Sequence, residues 1–400
     1  MNTLTAFYDL PKEWEVVRLL DITHIFDGTH QTPQYTHHGV AFFSVENIAN
    51  NKPNKFISQQ DYLIATSKNK PEYNDILLTR IGAIGISKVV SWTYPFSIYV
   101  TLAVIKQSKY FNSYYLHYFI QSSFFQKELK DNSLLQAIPC KINMDKLKKC
   151  KVILPPLNEQ SAIANILSAL DRYLYALDAL ILKKEGVKKA LSFELLSQRK
   201  RLKGFNQAWQ RVKVKDFGII ITGSTPLTQI SEYWNGTISW ITPTDINDNK
   251  DIFNSERKIT QKGLNTIRMI PKNSVLVTCI ASIGKNAILR VNGACNQQIN
   301  AIIPNKDFNA DFIYYLMENN KQYLLGKAGV TATYIISKQV FEEIDFFVPK
   351  DLNEQSAIAN ILSALDNEIA SLKNKKRQFE NIKKALNHDL MSAKIRVLKK

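Results

Sequence analysis

The stretch LNEQSAIANILSALD, residues 157–171, occurs a second time without a single change at residues 352–366, which is 195 positions further along the chain. Asn158 fits the N-cap position of a helix, and Glu159 follows in the first turn, where an acidic group complements the helix dipole. Repetition of a long identical segment indicates a duplicated structural unit. The stretch therefore predicts a helix that the chain builds twice.

The duplication extends beyond this segment to the whole chain. The segment WEVVRL at 14–19 matches WQRVKV at 209–214 with the same offset of 195. NDILLTRIGAIG at 74–85 matches NSVLVTCIASIG at 273–284 with an offset of 199, which indicates insertions in loops while the order of elements is kept. We therefore predict two similar halves, each a globular region followed by a long helix.

Both helices continue, after the repeated stretch, with apolar residues at the spacing of a coiled coil. The first seam is Ile163, Leu167, Leu170, Leu174, Leu177, Ile181, Lys184, Lys188, Leu191, Leu195 and Leu202, and the second is Ile358, Leu362, Leu365, Ile369, Leu372, Lys376, Phe379, Lys383, Leu386, Leu390 and Val397. About 40 helical residues make a rod about 60 Å long. We expect the helices to pair in an antiparallel coiled coil with pseudo-twofold symmetry, which would place the globular regions at opposite ends. In the alternative, each helix packs only on its own globular region.

The globular regions are rich in short β-type runs, such as VAFFSV and DILLTRI in the first and SVLVTCI in the second. Turn signals separate these runs, and only short helices fit, near 110–130 and 309–325. The predicted fold class is α+β, with two similar, mostly β domains, each followed by a long helix. The expected boundaries are 1–155 and 204–350 for the two domains and 156–203 and 351–400 for the two helices.

The composition points to a nucleic-acid partner. The 400 residues carry 52 basic and 35 acidic side chains, and the resulting formal net charge of +17 attracts polyanions. No apolar run reaches the roughly 18 residues that a membrane helix needs, and the N-terminal MNTLTAFYDLPKEW lacks the pattern of a secretory signal. We expect a cytoplasmic protein with no membrane partner.

Recognisable catalytic and metal-binding motifs are missing from the sequence. Cys140, Cys150, Cys279 and Cys295 form no CxxC pair, so we expect free thiols and no metal site. There is no GxxxxGK[ST] phosphate loop and no Asn-Pro-Pro-aromatic tetrapeptide of a methyl-transferring enzyme. We therefore predict a chain that recognises a partner and performs no catalysis.

The order of segments resembles a known family. GSTP and YWNGTISWITPTDIND (within 223–248), VTCIASIGKNAIL (277–289) and ACNQQINAIIP (294–304), followed by a helix and LNEQSAIANILSALD, are similar to a target recognition domain and its helix. The family is the specificity (S) subunit of Type I restriction–modification systems. The first half has the same order in diverged form, except that SIYVTLAVI (97–105) stands where the second half has NQQINAII (296–303).

The resemblance implies a function. Each recognition domain would recognise one half of a bipartite double-stranded DNA sequence, and the helices would fix the spacing. Two methyltransferase subunits would dock on the chain and methylate adenine with S-adenosylmethionine, and two motor-nuclease subunits would join for ATP- and Mg-dependent restriction. This chain would bind no cofactor itself. The identical helical stretches would then be identical docking surfaces, while the DNA-recognising regions are free to differ.

Base contacts are made mostly by polar and basic side chains. The predicted DNA-binding residues are His30, Gln31, Arg80 and Lys88 in the first domain and Thr225, Lys285, Gln297 and Gln298 in the second. The predicted partner-docking residues are Asn158, Glu159 and Gln160 and their counterparts Asn353, Glu354 and Gln355.

Two other classes of function remain open from the sequence. One is a stand-alone DNA-binding regulator without methyltransferase partners, against which the absence of a helix-turn-helix pattern counts. The other is an enzyme with an unrecognised site, which would show turnover with magnesium or a methyl donor.

Overall fold

The computed structural model describes residues 10–50, 53–247, 249–330 and 333–398. It divides into two compact units. The first unit is Met1–Asp178 with Asn374–Lys400, and the second unit is Ala179–Lys373. Each unit therefore contains one globular region and a part of each long helix, Leu157–Leu196 and Leu352–Met391.

Two four-stranded sheets form the globular region of the first unit. One is fully antiparallel, with the order Ile25–Asp27, Leu102–Ile105, Ile76–Thr79 and Ser87–Val89. The other has the order Tyr35–Thr36, Lys55–Ile57, Val40–Phe43 and Phe96–Ile98. Glu15–Arg18 pairs antiparallel with Lys151–Leu154. The short helices are Leu19–Ile22, Val45–Asn50, Gln59–Ala65, Ser113–Ile120, Ser123–Asp131 and Met144–Lys149.

The second unit repeats this plan with one larger and one smaller sheet. Its five-stranded sheet has the order Gly218–Thr222, Ile299–Pro304, Ser274–Thr278, Asn286–Leu289 and Asp251–Ile252, and its three-stranded sheet has the order Lys258–Ile259, Trp234–Ile241 and Gly293–Cys295. Trp209–Lys213 pairs with Asp345–Pro349, and Gly329–Val330 pairs with Tyr334–Ile335. The short helical segments are Val214–Phe217, Ser231–Tyr233, Gln261–Leu264, Ala310–Asn319, Lys321–Gly326 and Lys338–Glu343.

Each hydrophobic core contains residues from both long helices. In the first unit, Ile163 and Leu167 of the first helix and Leu390 of the second helix are buried in one cluster with the sheet and the helix Ser113–Ile120. In the second unit, Leu195 of the first helix and Leu362 of the second helix are buried in the corresponding cluster. The alternative in which each helix packs only on its own globular region is therefore wrong.

Contacts between the two long helices show their relative direction within each unit. In the first unit Lys383 Nζ lies 2.5 Å from Asp171 Oδ1, and Lys376 Nζ lies 2.7 Å from Asp178 Oδ1. The ring centroids of Tyr173 and Phe379 are 4.7 Å apart between these pairs. Because the partner number falls as the residue number rises, the two segments run antiparallel.

The second unit has the same arrangement. Lys184 Nζ lies 2.8 Å from Glu368 Oε1, and Lys188 Nζ lies 2.5 Å from Asp366 Oδ1. The lysines that interrupt the apolar seam thus have acidic partners on the facing helix. A charged pair inside a seam specifies register, because a shifted alignment would leave both charges without a partner.

The predicted α+β class, with mostly β globular regions and two long helices, is confirmed. The predicted helical regions near 110–130 and 309–325 are each two helices, because Ser122 begins a new helix by accepting from the N–H of Phe125, and Asn320 interrupts the second region. All four cysteines are free. Burial raises the pKa of the Cys150, Cys279 and Cys295 thiols to about 12, so they stay protonated at neutral pH.

Candidate nucleic-acid interface

A loop that begins at Gly223 brings two of the predicted base-contacting residues of the second unit together. The loop runs so close to the neighbouring strand that a Cβ on Gly223 would lie 2.1 Å from the carbonyl oxygen of Asn296, which only glycine avoids. The hydroxyl of Thr225 donates to Gln297 Oε1 at 2.6 Å, and both side chains are exposed. Thr225 and Gln297 thus form an exposed, hydrogen-bonded polar pair, and side chains of these types can contact base edges.

Gln298 lies next to this pair, and Lys285 lies on another turn. Gln298 Oε1 accepts from Asn296 Nδ2 at 3.0 Å, so the side chain is held in place at the end of the loop. Lys285 is exposed on the turn that connects two strands of the five-stranded sheet. Among the described residues, no hydrogen bond joins its side chain to Thr225 or Gln297.

The equivalent loop of the first unit carries His30 and Gln31. It begins at Gly28, where a Cβ would lie 2.1 Å from the carbonyl oxygen of Ile98. His30 Nε2 lies 3.2 Å from Asp27 Oδ2, and both His30 and Gln31 are exposed. The matching hydrogen bonds align Tyr99 with Asn296, so Val100 and Thr101 occupy the places of Gln297 and Gln298. The first unit therefore presents a different set of side chains from the same backbone frame.

Arg80 is turned into the protein, with 7% of its surface exposed. Its Nη1 donates to the carbonyl of Val100 at 2.9 Å and lies 3.1 Å from Asp27 Oδ2, while its Nε donates to the carbonyl of Ile142 at 3.3 Å. Burial lowers the pKa of Arg80, and the nearby Asp27 carboxylate opposes this shift. Direct base contact by Arg80 stays a prediction; in this structure its guanidinium positions the loop around Val100.

Lys88 faces a groove and not the Gly28 loop. Its Nζ lies 5.5 Å from the centre of the Trp92 ring, and partial burial lowers its pKa. The groove has a volume of about 690 Å³ and is lined also by Asn165, Ser168 and Arg172 of the first long helix. Base contact by Lys88 also stays a prediction.

Sequence reasoning missed a pair of cations that sit on aromatic rings. Arg257 lies over Trp234 and Trp240 in the second unit, and Lys55 lies over Tyr35 in the first. The aromatic residues were visible in YWNGTISWI, but the basic partners come from another strand, and the sequence does not state which strands pair.

The predicted docking residues divide into buried and exposed members. Glu159 accepts from Trp14 Nε1 at 3.1 Å and from Arg396 Nε at 2.7 Å, and Glu354 accepts from Trp209 Nε1 at 3.2 Å and from Arg201 Nη2 at 2.7 Å. Both carboxylates are almost fully buried. They therefore fix the globular region to the helices in each unit by the same three-residue contact.

The two glutamines are also buried and have internal partners. Gln160 Oε1 accepts from the N–H of Asn112 at 2.8 Å, and Gln355 Oε1 accepts from the N–H of Asn309 at 3.0 Å. Asn158 and Asn353 are exposed. Of the predicted docking residues, these two asparagines are the ones whose side chains face solvent; docking itself stays a prediction.

Among the described residues there is no group of three or more His, Cys, Asp or Glu side chains that could bind a metal ion. The same residues contain no helix that is long and apolar enough to span a membrane.

Comparisons with known proteins give one family. A family model described as Type I restriction modification DNA specificity domain matches residues 11–184 and again residues 206–381. The specificity subunit of the Type I restriction enzyme MjaIX from Methanocaldococcus jannaschii is 36% identical over 182 residues, which are 44% of this chain and 41% of that protein. The putative MjaX specificity subunit from the same organism is 25% identical over 423 aligned positions, which cover 98% of this chain and 96% of that protein.

A solved structure shows the same fold. The crystal structure of the S subunit of a Type I restriction–modification system from M. genitalium has a TM-score of 0.62 at 14% identity, and the match covers 96% of this chain and 97% of that one. Together with the family match, this confirms the resemblance that the sequence indicates.

Proposed function

The chain belongs to the Type I restriction modification DNA specificity family, and we propose that it is the non-catalytic DNA-recognising subunit of such a complex, acting in the cytoplasm. The region 1–155 would recognise one half of a bipartite double-stranded DNA target and the region 204–350 the other half. The helices 156–203 and 351–400 would fix the spacing of the half-sites and dock the partner subunits.

The observation that carries this proposal is the unequal divergence of the two halves. The helical stretch at 157–171 is identical to that at 352–366, and both copies make the same contacts through Glu159 and Glu354. The Gly28 and Gly223 loops share a backbone frame but carry different side chains. Two identical partners and two different DNA half-sites would require this combination.

The partners that we propose are two methyltransferase subunits and two motor-nuclease subunits. S-Adenosylmethionine, ATP and Mg would be used by those subunits, and this chain would bind none of them. The formal charge of +17 supports DNA binding, because neutralised phosphates release counterions and so contribute affinity that falls with salt.

The test is a genome-wide map of methylated adenines in the host with the gene, without it, and with a complementing copy. We expect one bipartite, asymmetric motif to lose methylation on deletion and to regain it on complementation. A methyltransferase subunit is expected to co-purify with the tagged chain. If that subunit is present and active but no motif is lost, the proposed function is wrong; altered transcripts in the same strain would then identify a stand-alone regulator.

A further inference from the structure

Arg257 is exposed and lies on two indole rings. The carbon of its guanidinium is 4.2 Å from the centre of the Trp234 ring and 4.8 Å from that of Trp240. The two indoles pack edge to face with centroids 5.1 Å apart. A guanidinium on an aromatic face is held by electrostatic attraction and stacking, while its N–H donors at the rim stay available.

The backbone of Arg257 is hydrogen-bonded to the backbone of Trp240. The carbonyl of Arg257 accepts from the N–H of Trp240 at 3.2 Å and from the hydroxyl of Ser255 at 2.6 Å. Ser255 also accepts from the N–H of Trp240 at 3.0 Å. Within the described residues the guanidinium has no ion pair and no hydrogen bond. It is therefore preorganised and has no acceptor of its own.

This cluster adjoins the Gly223 loop. Trp240 Nε1 donates to the carbonyl of Ser224 at 2.9 Å, and Trp234 Nε1 donates to the carbonyl of Leu227 at 3.2 Å. The two indoles under Arg257 thus anchor the loop on both sides of Thr225, whose hydroxyl is bonded to Gln297. Arg257, Thr225 and Gln297 belong to one surface.

The first unit has a cation at the same place. Strand register sets Ile57 opposite Tyr35 and Val40, as it sets Ile259 opposite Trp234 and Ile238. Two positions before these isoleucines stand Lys55 and Arg257. Lys55 Nζ lies 5.1 Å from the centre of the Tyr35 ring, and the Tyr35 and Phe42 rings are 5.9 Å apart.

The two cations differ in chemistry. Lysine is a point charge, and Lys55 also lies 3.5 Å from Glu46 Oε2. Arginine presents a planar fork that matches the O6 and N7 acceptors of guanine in the major groove, which is the commonest specific base contact. A phosphate contact would use the charge alone and would carry no sequence information.

From the stacked, unpartnered guanidinium beside the Gly223 loop we infer that Arg257 donates two hydrogen bonds to one guanine of the half-site that the second domain recognises. Lys55 is the equivalent cation in the first domain and lacks the two-pronged geometry. The inference rests on the proposed function, since it assigns one base of that target.

The experiment compares methylation motifs in the deletion strain complemented with wild type, Arg257→Lys, Arg257→Ala, Lys55→Arg and Arg211→Ala. Arg257→Lys keeps the positive charge and the ring contact but loses the fork. Arg211→Ala is the matched control for loss of an exposed arginine. Arg211 lies on the strand Trp209–Lys213, away from the Gly223 loop, and pairs with Asp345 of the neighbouring strand Asp345–Pro349. Purified complexes are also titrated with DNA in which each guanine of the second domain's half-site is replaced in turn by each of the other bases.

We expect Arg257→Lys and Arg257→Ala to relax one guanine position in one half of the motif. With Arg257→Ala, discrimination against the other bases there should fall from about 10- to 100-fold to near unity. Arg257→Lys should reduce this discrimination only in part, because an ammonium group can still donate to O6 or N7 but lacks the planar fork. Arg211→Ala should leave the motif unchanged, and any change by Lys55→Arg should fall in the other half.

An unchanged motif with Arg257→Ala overturns the inference. The inference is also overturned if Arg257→Ala weakens binding equally for all sequences and lowers the slope of log affinity against log salt concentration by about one. That result would identify a phosphate contact. Failure of the proposed function would look different, because wild type itself would then restore no motif.

Discussion

The two units of the chain differ at exposed loop and strand positions and agree in the contacts between the globular region and the long helices. The Trp14–Glu159–Arg396 contact of the first unit recurs as Trp209–Glu354–Arg201 in the second. The pairs of tyrosine and aspartate, Tyr118 with Asp171 and Tyr315 with Asp366, also recur, at 2.6 and 2.7 Å. The cation on the aromatic pair, in contrast, is lysine in one unit and arginine in the other. These contacts with the long helices thus recur in both units, whereas the exposed cation differs, as the proposed recognition of two different half-sites requires.

Removal of the two buried glutamates should destabilise both units, and the second unit more, because Arg396 of the first unit has a second acceptor in Glu13. Glu354→Ala leaves the Arg201 guanidinium and the Trp209 indole N–H without their acceptor, and we expect a loss of about 3 kcal/mol of unfolding free energy. Glu159→Ala leaves the Trp14 indole N–H without its acceptor, but Arg396 keeps Glu13 at 2.7 Å, so we expect a smaller loss, about 2 kcal/mol. Urea denaturation of the full chain, followed by circular dichroism, measures this loss.

The matched control is Glu343→Ala, which removes an exposed carboxylate paired with Lys213 and Lys215. Its effect on the denaturation midpoint should be small. Losses below about 1 kcal/mol for Glu159 and Glu354, typical of surface ion pairs, would mean that these contacts do not anchor the globular regions.

The sequence was sufficient for the features that depend on local patterns. Periodic apolar residues predicted the long helices, and the repeated stretch predicted the two halves. Glu159 and Gln160 are predicted docking residues, but the structure buries both of them. The sequence does not show this, because their partners Trp14, Arg396 and Asn112 are distant along the chain.

The surface that we propose for base contact could be predicted only in part. The polar residues after Gly28 and Gly223 could be chosen from the sequence, whereas the close backbone approach that requires glycine at both positions is seen only in the structure. The burial of Arg80 and the stacking of Arg257 depend on which strands pair, and one sequence alone does not contain that information.

A second prediction concerns acid sensitivity that only the first unit should show. His117 Nδ1 lies 2.9 Å from Ser87 Oγ, and burial lowers its pKa from the ordinary 6.5 to about 4. Asp171 opposes this shift, while Lys383 and Lys88 favour it. The equivalent residue in the second unit, next to Tyr315, is Tyr314, so this position has no histidine there.

Because the folded-state pKa lies below the unfolded-state value, neutral His117 contributes stability above pH 6.5 that is lost as the pH falls towards 4. The loss is at most about 3 kcal/mol. Hydrogen exchange, corrected for its intrinsic pH dependence, should show faster opening of 113–131 than of 310–326 at pH 5, relative to pH 7.5. His117→Gln should remove most of the difference; an equal response of both segments in wild type would contradict the assignment.

The smallest expected effect is the coupling between the seam lysines and their aspartates. Lys383 with Asp171 and Lys188 with Asp366 have equal distances of 2.5 Å, but their side chains are partly exposed, so solvent screens the attraction. Double-mutant cycles with lysine to methionine and aspartate to asparagine should give about 0.5–1 kcal/mol for each pair. The coupling should fall in about 1 M salt, where the screening length is about 3 Å. Equal values would mean that both pairs set the helix register to the same degree, whereas a coupling in only one unit would show that the helix contacts, too, have begun to diverge.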